Sequence, residues 1–131
     1  MLIVTTLIAC ILAALFLRLS FGVIRLRRQH KVGLGSGGVD DLERAIRAQA
    51  NFAEYVPIAL ILMACLEFNE APPWLIAILG IALVVGRVIH AIGINQPPPH
   101  FSNRIIGMKF TITTLIMLVV CNLVWLLLNR W

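Results

Sequence analysis

The chain has 131 residues, of which 60% are hydrophobic and 13% charged, and it carries a net charge of +5. A typical globular chain is about half apolar and a quarter charged, and a domain this small has too much surface to cover with so few charges. This composition excludes disorder and a soluble monomer, and makes lipid the expected solvent. A basic balance raises nucleic acid as a partner for a soluble protein, but here the basic residues must first be placed against a bilayer.

Four apolar stretches predict helices at about 2–24, 42–67, 74–94 and 104–128, within one domain over 1–131. Each has some 20 residues or more, about 30 Å of helix, enough to cross the hydrocarbon. No alternating strand pattern is present, and only closed hydrogen-bonding systems cross lipid, so the expected fold is an all-α integral membrane four-helix bundle. Arg18 interrupts the first stretch. The run Gly33-Leu34-Gly35-Ser36-Gly37-Gly38 reads as a flexible loop, and lacks the strand and Lys-Ser/Thr ending of a phosphate loop. Asp40 is expected to cap the second helix, with Glu43 near its positive end. Pro73 suits the start of the third helix, and Pro97-Pro98-Pro99 should stop it. Cys10, Cys65 and Cys121 fall within spans and form neither a metal pattern nor a disulfide framework.

Basic residues set the expected orientation. Arg25, Arg27, Arg28, Lys31 and Arg44 flank the first loop, and Arg104 and Lys109 the third, against Arg130 on the other side with Glu67 and Glu70. By the positive-inside rule, loops one and three are cytoplasmic and both termini outside. The basic residues follow the first apolar run rather than precede it, so no cleavable signal is expected.

Ionisable groups at membrane depth face a bundle interior or water, and mark candidate sites. On the second helix Arg44, Arg47, Asn51 and Glu54 fall within about an 80° arc at 100° per residue. That stripe suits an interhelical polar seam, a ligand site or an ion path. Pro57 follows one turn later and should kink or loosen the helix. Arg87 and His90 lie one turn apart on the third helix, where Arg87 is placed to pair with Glu54 and His90 to donate a proton or simply pack. Gly80, Gly86 and Gly93 permit close helix approach. On the fourth helix Arg104, Gly107 and Thr111 share a face, as Arg18 and Arg25 do on the first. Guanidinium groups therefore exceed carboxylates around Glu54. That excess suits a ligand with several carboxylates and one ammonium, because arginine pairs bidentately with carboxylate.

The segment Glu43-Arg44-Ala45-Ile46-Arg47-Ala48-Gln49-Ala50-Asn51-Phe52-Ala53-Glu54-Tyr55-Val56-Pro57 resembles the Glu-Arg-x-x-Arg-Ala-x-x-Asn-x-x-Glu signature of the MAPEG family, membrane-associated proteins in eicosanoid and glutathione metabolism. Arg25-Leu26-Arg27, Gly86-Arg87-Val88-Ile89-His90 and Arg104 add to the resemblance, whose general look is of the small bacterial branch. It implies a homotrimer in the bacterial inner membrane, with glutathione as co-substrate in a cytoplasm-facing cleft between subunits. By position, Arg25, Arg47, Asn51, Glu54 and His90 would hold glutathione. Arg44, Arg87, Ser102 and Thr111 would support the site, with Ser102 and Thr111 as donors to sulfur, and Arg104 would stabilise the thiolate. The implied activity is that of a glutathione transferase or peroxidase on lipophilic electrophiles, with no metal and no nucleic acid. Ala50 and Ile94 depart from glutathione-using members, which have a basic residue and, in some, a tyrosine there. A non-catalytic scaffold or lipid-binding member is therefore the alternative. A small multidrug-type transporter is disfavoured because the first helix holds Arg18 and no carboxylate.

Overall fold

The computed structural model describes residues 1–95 and 101–129, with four helices: α1 (Ile3–His30), α2 (Asp40–Phe68), α3 (Pro73–Asn95) and α4 (Phe101–Asn129). All four are long and apolar enough to cross a membrane. The Pro97-Pro98-Pro99 stop and Arg130 lie outside the described residues.

Two helix boundaries differ from expectation. α1 continues past Ile24 through the basic run to His30. Hydropathy ends at the membrane surface, but arginine is a good helix former and the backbone ladder continues. The helix closes at Lys31, in the left-handed region at φ 56°, where the N–H groups of Lys31 and Val32 donate to the carbonyls of Arg28 and Arg27. α4 begins at Phe101, three residues early. Nor does Asp40 cap α2: it is already helical, Val39 occupies the cap position without a side-chain bond, and the Asp41 carboxylate accepts from the Leu42 N–H at 2.8 Å. Glu43 lies in the first turn as expected, and Asp40 and Asp41 join it there. The glycine loop is built rather than merely slack. Gly35, Gly37 and Gly38 take positive φ, and Arg27 Nη1 donates to the Gly35 carbonyl at 2.9 Å. α2 remains helical through Pro57.

At the far end, Pro73 is the first residue of α3. The N-terminus of α1 has no side-chain cap of its own. Instead Glu67, from the end of α2, accepts from the Val4 N–H at 2.9 Å and the Thr5 N–H at 2.7 Å. A carboxylate there satisfies two orphan donors and complements the helix dipole. Trp125 Nε1 donates to the Asn69 carbonyl at 2.7 Å, tying α4 to the same end.

α2 and α3 form the centre, α1 and α4 flank them, and α1 and α4 do not touch among the described residues. Leu12, Phe52, Ala59, Met63, Ile76, Leu83 and Leu118 build the buried core. Ile11, Phe21, Ile81, Ile116, Val120 and Leu123 point outward, as an apolar solvent permits. The α3–α4 seam is the tightest. A Cβ on Gly107 would lie 2.5 Å from the His90 nitrogen, one on Gly93 2.7 Å from the Arg104 nitrogen, and one on Gly86 2.8 Å from the Phe110 Cβ. These contacts leave room for hydrogen only. They set the start of α4 directly against the polar end of α3; of the glycines expected to allow close approach, Gly86 and Gly93 lie in this seam and Gly80 faces Ile8 and Met63.

Candidate functional site

The polar groups of the loop-one end separate into two layers. The deeper one is centred on Arg87, which is fully buried together with Thr111 and, within 1%, His90. Arg87 Nη2 donates to Asn51 Oδ1 at 2.9 Å and lies 3.0 Å from His90 Nδ1. A guanidinium has no acceptor, so His90 Nδ1 must be unprotonated and accept. Arg87 Nη1 reaches Thr111 Oγ1 at 3.5 Å and Met108 Sδ at 3.9 Å, and the guanidinium carbon stands 5.6 Å from the Phe52 ring centre, within cation–π range. Arg87 Nε is buried without a partner. Three helices thus converge on one side chain: Asn51 and Phe52 from α2, Arg87 and His90 from α3, Met108 and Thr111 from α4.

The expected Arg87–Glu54 pair does not form. Glu54 is exposed and its carboxylate has no partner among the described residues, where the one ion pair joins His30 and Asp41 at 3.6 Å. The cause is the rotation of α2. Asn51 faces Arg87, while Glu54, one turn farther on and 60° around the helix, faces away. Neutral dipoles and a ring face therefore surround the buried charge. Thr111 is not positioned to donate to a ligand sulfur either, since its hydroxyl donates to the Gly107 carbonyl at 2.9 Å and is fully buried. Here His90 packs and accepts rather than lining an open site.

The second layer is an open cleft of about 140 Å³ lined by Glu43, Arg44, Arg47, Gly93, Ile94, Phe101 and Arg104. It lies where the first turns of α2 and α4 meet the last turns of α3. Arg47 and Arg104 are exposed and Arg44 half-buried, and none has a hydrogen-bond or ion-pair partner among the described residues. Three guanidinium groups face one small space, with Glu43 as its carboxylate. The bare Gly93 is what allows Arg104 this close to α3.

Of the residues singled out from the sequence, Asn51, Arg87, His90 and Thr111 thus meet in the buried layer, and Arg44, Arg47 and Arg104 in the cleft. The others stay apart. Arg25 lines a different cavity with Arg18 and Asp41, and Glu54 and Ser102 are exposed. Phe52, Met108 and Phe101 were not anticipated. Phe52 sits beside Asn51 in the second-helix motif, and Met108 beside Gly107, which are local signals for those two; Phe101 follows the Pro97-Pro98-Pro99 run and has no such signal.

A sequence model described as the MAPEG family matches residues 5–124. The chain belongs to the MAPEG family. Within it, the chain is similar to a protein called inner membrane protein YecN from Escherichia coli strain K12, 41% identical over 120 residues that cover 92% of this chain and 90% of that relative. The same figures hold for the YecN of Escherichia coli O6:H1 strain CFT073. The match takes in both layers of the site and all four helices, so the motif resemblance on α2 extends to most of the MAPEG chain.

Proposed function

We propose that this MAPEG protein binds glutathione at the loop-one end of the bundle and activates its thiol for attack on lipophilic electrophiles reaching it from the bilayer. The observation that carries this reading is the cleft itself. Arg44, Arg47 and Arg104 face one space with no acid but Glu43, and glutathione brings two carboxylates, one ammonium and a thiol. Unpartnered guanidinium groups make strong charge-assisted bonds to carboxylates.

The cleft of about 140 Å³ is smaller than the roughly 300–1,000 Å³ of small-molecule sites. One chain therefore supplies part of a site. Arg25 and Glu54, outward-facing and without partners among the described residues, suit completion of the site from a neighbouring copy, in keeping with a homotrimer. In this reading Arg47 and Arg44 take carboxylates, Glu54 or Glu43 takes the ammonium, and Arg104 lies beside the sulfur. Asn51, Arg87 and His90 act from beneath by fixing the floor.

A thiol of pKa about 8.5 is mostly protonated at neutral pH, and the thiolate is the nucleophile. A guanidinium beside the sulfur favours the thiolate. With an aryl halide, the sulfur forms a bond to the ring carbon and halide leaves. With a lipid hydroperoxide, the thiolate attacks the terminal oxygen, the O–O bond breaks to leave a sulfenic acid, and the departing alkoxide takes a proton from water to give the alcohol. A second glutathione thiolate then displaces hydroxide to give the disulfide. The same reading puts the chain in the bacterial inner membrane, with loops one and three cytoplasmic and both termini outside, following the positive-inside balance and the likeness to inner membrane protein YecN.

One feature favours a non-catalytic, lipid-binding or scaffold role: Ile94 puts an apolar side chain in the cleft and offers no donor to sulfur. Thiolate absorbance at the ultraviolet edge, measured with purified protein and glutathione, separates the readings. A thiolate signal with turnover of a model aryl halide or a lipid hydroperoxide supports the enzyme. Binding without thiolate supports the scaffold.

A further inference from the structure

Arg18 belongs to neither layer of the candidate site. It is exposed on α1, about 18 Å along the helix from its end at His30 and about 10 Å deeper than Arg25, at 1.5 Å per residue. It has no hydrogen-bond or ion-pair partner among the described residues. A guanidinium at such depth must be paired or wet.

Two cavities meet at this side chain. One, of about 430 Å³, runs between α1 and α3 along Leu15, Val88, Ala91 and Ile92. The other, of about 540 Å³, opens towards loop one past Arg25, Phe21 and Asp41. Arg18, Leu19 and Asn95 line both, so they form one groove with an apolar inner arm and a cationic outer arm. Asp41 is its one acid, and that carboxylate faces His30 at 3.6 Å and accepts from the Leu42 N–H. The charge left in the groove is therefore positive.

We propose that this groove is a binding site for an anionic phospholipid, with the phosphodiester at Arg18 and Arg25, Asn95 donating beside it, and one acyl chain along Leu15, Val88 and Ile92. A free phosphate would use the outer arm and leave the apolar arm empty. A lipid fills both, and it approaches from the solvent that surrounds α1. Arg25 is shared with the glutathione reading, but Arg18, on which the test acts, belongs to this groove alone.

The test is native mass spectrometry of the full chain in detergent, titrated with dioleoyl phosphatidylglycerol or dioleoyl phosphatidylcholine. The expected preference for phosphatidylglycerol is about tenfold, the scale of one charge-assisted contact. Arg18→Ala should bring the two lipids within about twofold, and Arg18→Lys should keep most of the preference. Arg28→Ala removes the same charge from α1 outside the groove, and should leave it unchanged. Equal affinity for both lipids in the parent chain, or a full preference in Arg18→Ala, would overturn the proposal. So would displacement of the lipid by inorganic phosphate at equal concentration, which would mark a bare anion site. A change in the number of copies per particle in Arg18→Ala would also overturn it, since Arg18 would then be pairing with an acid of a second copy.

Discussion

Arg87 and Arg104 are the same residue type at the same end of the bundle, yet their surroundings are opposite. Arg87 is fully buried and held by Asn51, His90 and Thr111, so both its terminal nitrogens are engaged by the fold and only Nε is left without a partner. Arg104 stands at an open cleft with Arg44 and Arg47, its donors directed at no protein group. An arginine at membrane depth is thus not a functional residue by type alone. What separates the two is whether neighbouring helices have already satisfied the guanidinium.

The contrast can be broken first at the buried layer. Arg87→Ala removes a large buried side chain and strands Asn51 Oδ1 and His90 Nδ1, which should cost about 4 kcal/mol of stability. Thermal unfolding in detergent measures it, and a loss under 1 kcal/mol would mean that the buried layer is not structural. Arg104→Ala should do the reverse. Turnover with glutathione should fall about a hundredfold, the scale for losing one preorganised charge-stabilising group, while the unfolding midpoint stays put, as surface changes usually shift stability by no more than about 0.5 kcal/mol. If Arg104→Ala leaves both thiolate signal and turnover unchanged, its assigned role is wrong.

The seam between the layers comes next. Gly107→Ala places a methyl 2.5 Å from the His90 nitrogen and should destabilise by about 2 kcal/mol, within the usual range for overpacking. It should also perturb the cleft, because it moves the start of α4. Smallest is Glu67→Gln at the opposite end, which keeps one acceptor oxygen for the two α1 N–H groups, turns an amide NH2 towards the other and drops the charge. A loss of about 1 kcal/mol is expected from the dipole interaction and the lost bond, with glutathione turnover untouched. A matching loss of turnover would show that the two ends are coupled.

Much of this architecture is legible in the sequence, because the lipid solvent makes it so. Span lengths give the helices, Pro73 gives a helix start, and Gly80, Gly86 and Gly93 give close helix approach without saying that α4 is what meets the last two. The motif on α2 supplies Arg44 and Arg47 to the cleft and Asn51 to the buried layer. It does not say which of Asn51 and Glu54 turns towards Arg87, since they differ by only 60° on the helix and small rotations of α2 decide between them. The end of α1 was hidden for another reason: hydropathy reports where lipid ends, and the helix does not end there. The Glu67 cap on Val4 and Thr5 joins groups more than 60 residues apart, and no local pattern encodes it. Arg25 and Glu54 stand away from the cleft in one chain, and no local pattern in the sequence says what they face.

The central claim is that the unpartnered arginines of the cleft hold a glutathione carboxylate while the buried arginine holds the fold. Calorimetric titration of glutathione into the parent protein and into Arg44→Ala/Arg47→Ala, with unfolding midpoints taken on the same samples, tests it most directly. The account predicts affinity weakened by about a hundredfold, the scale of losing charge-assisted contacts, at an unchanged midpoint. Equal affinity in the two proteins at equal midpoints would contradict it.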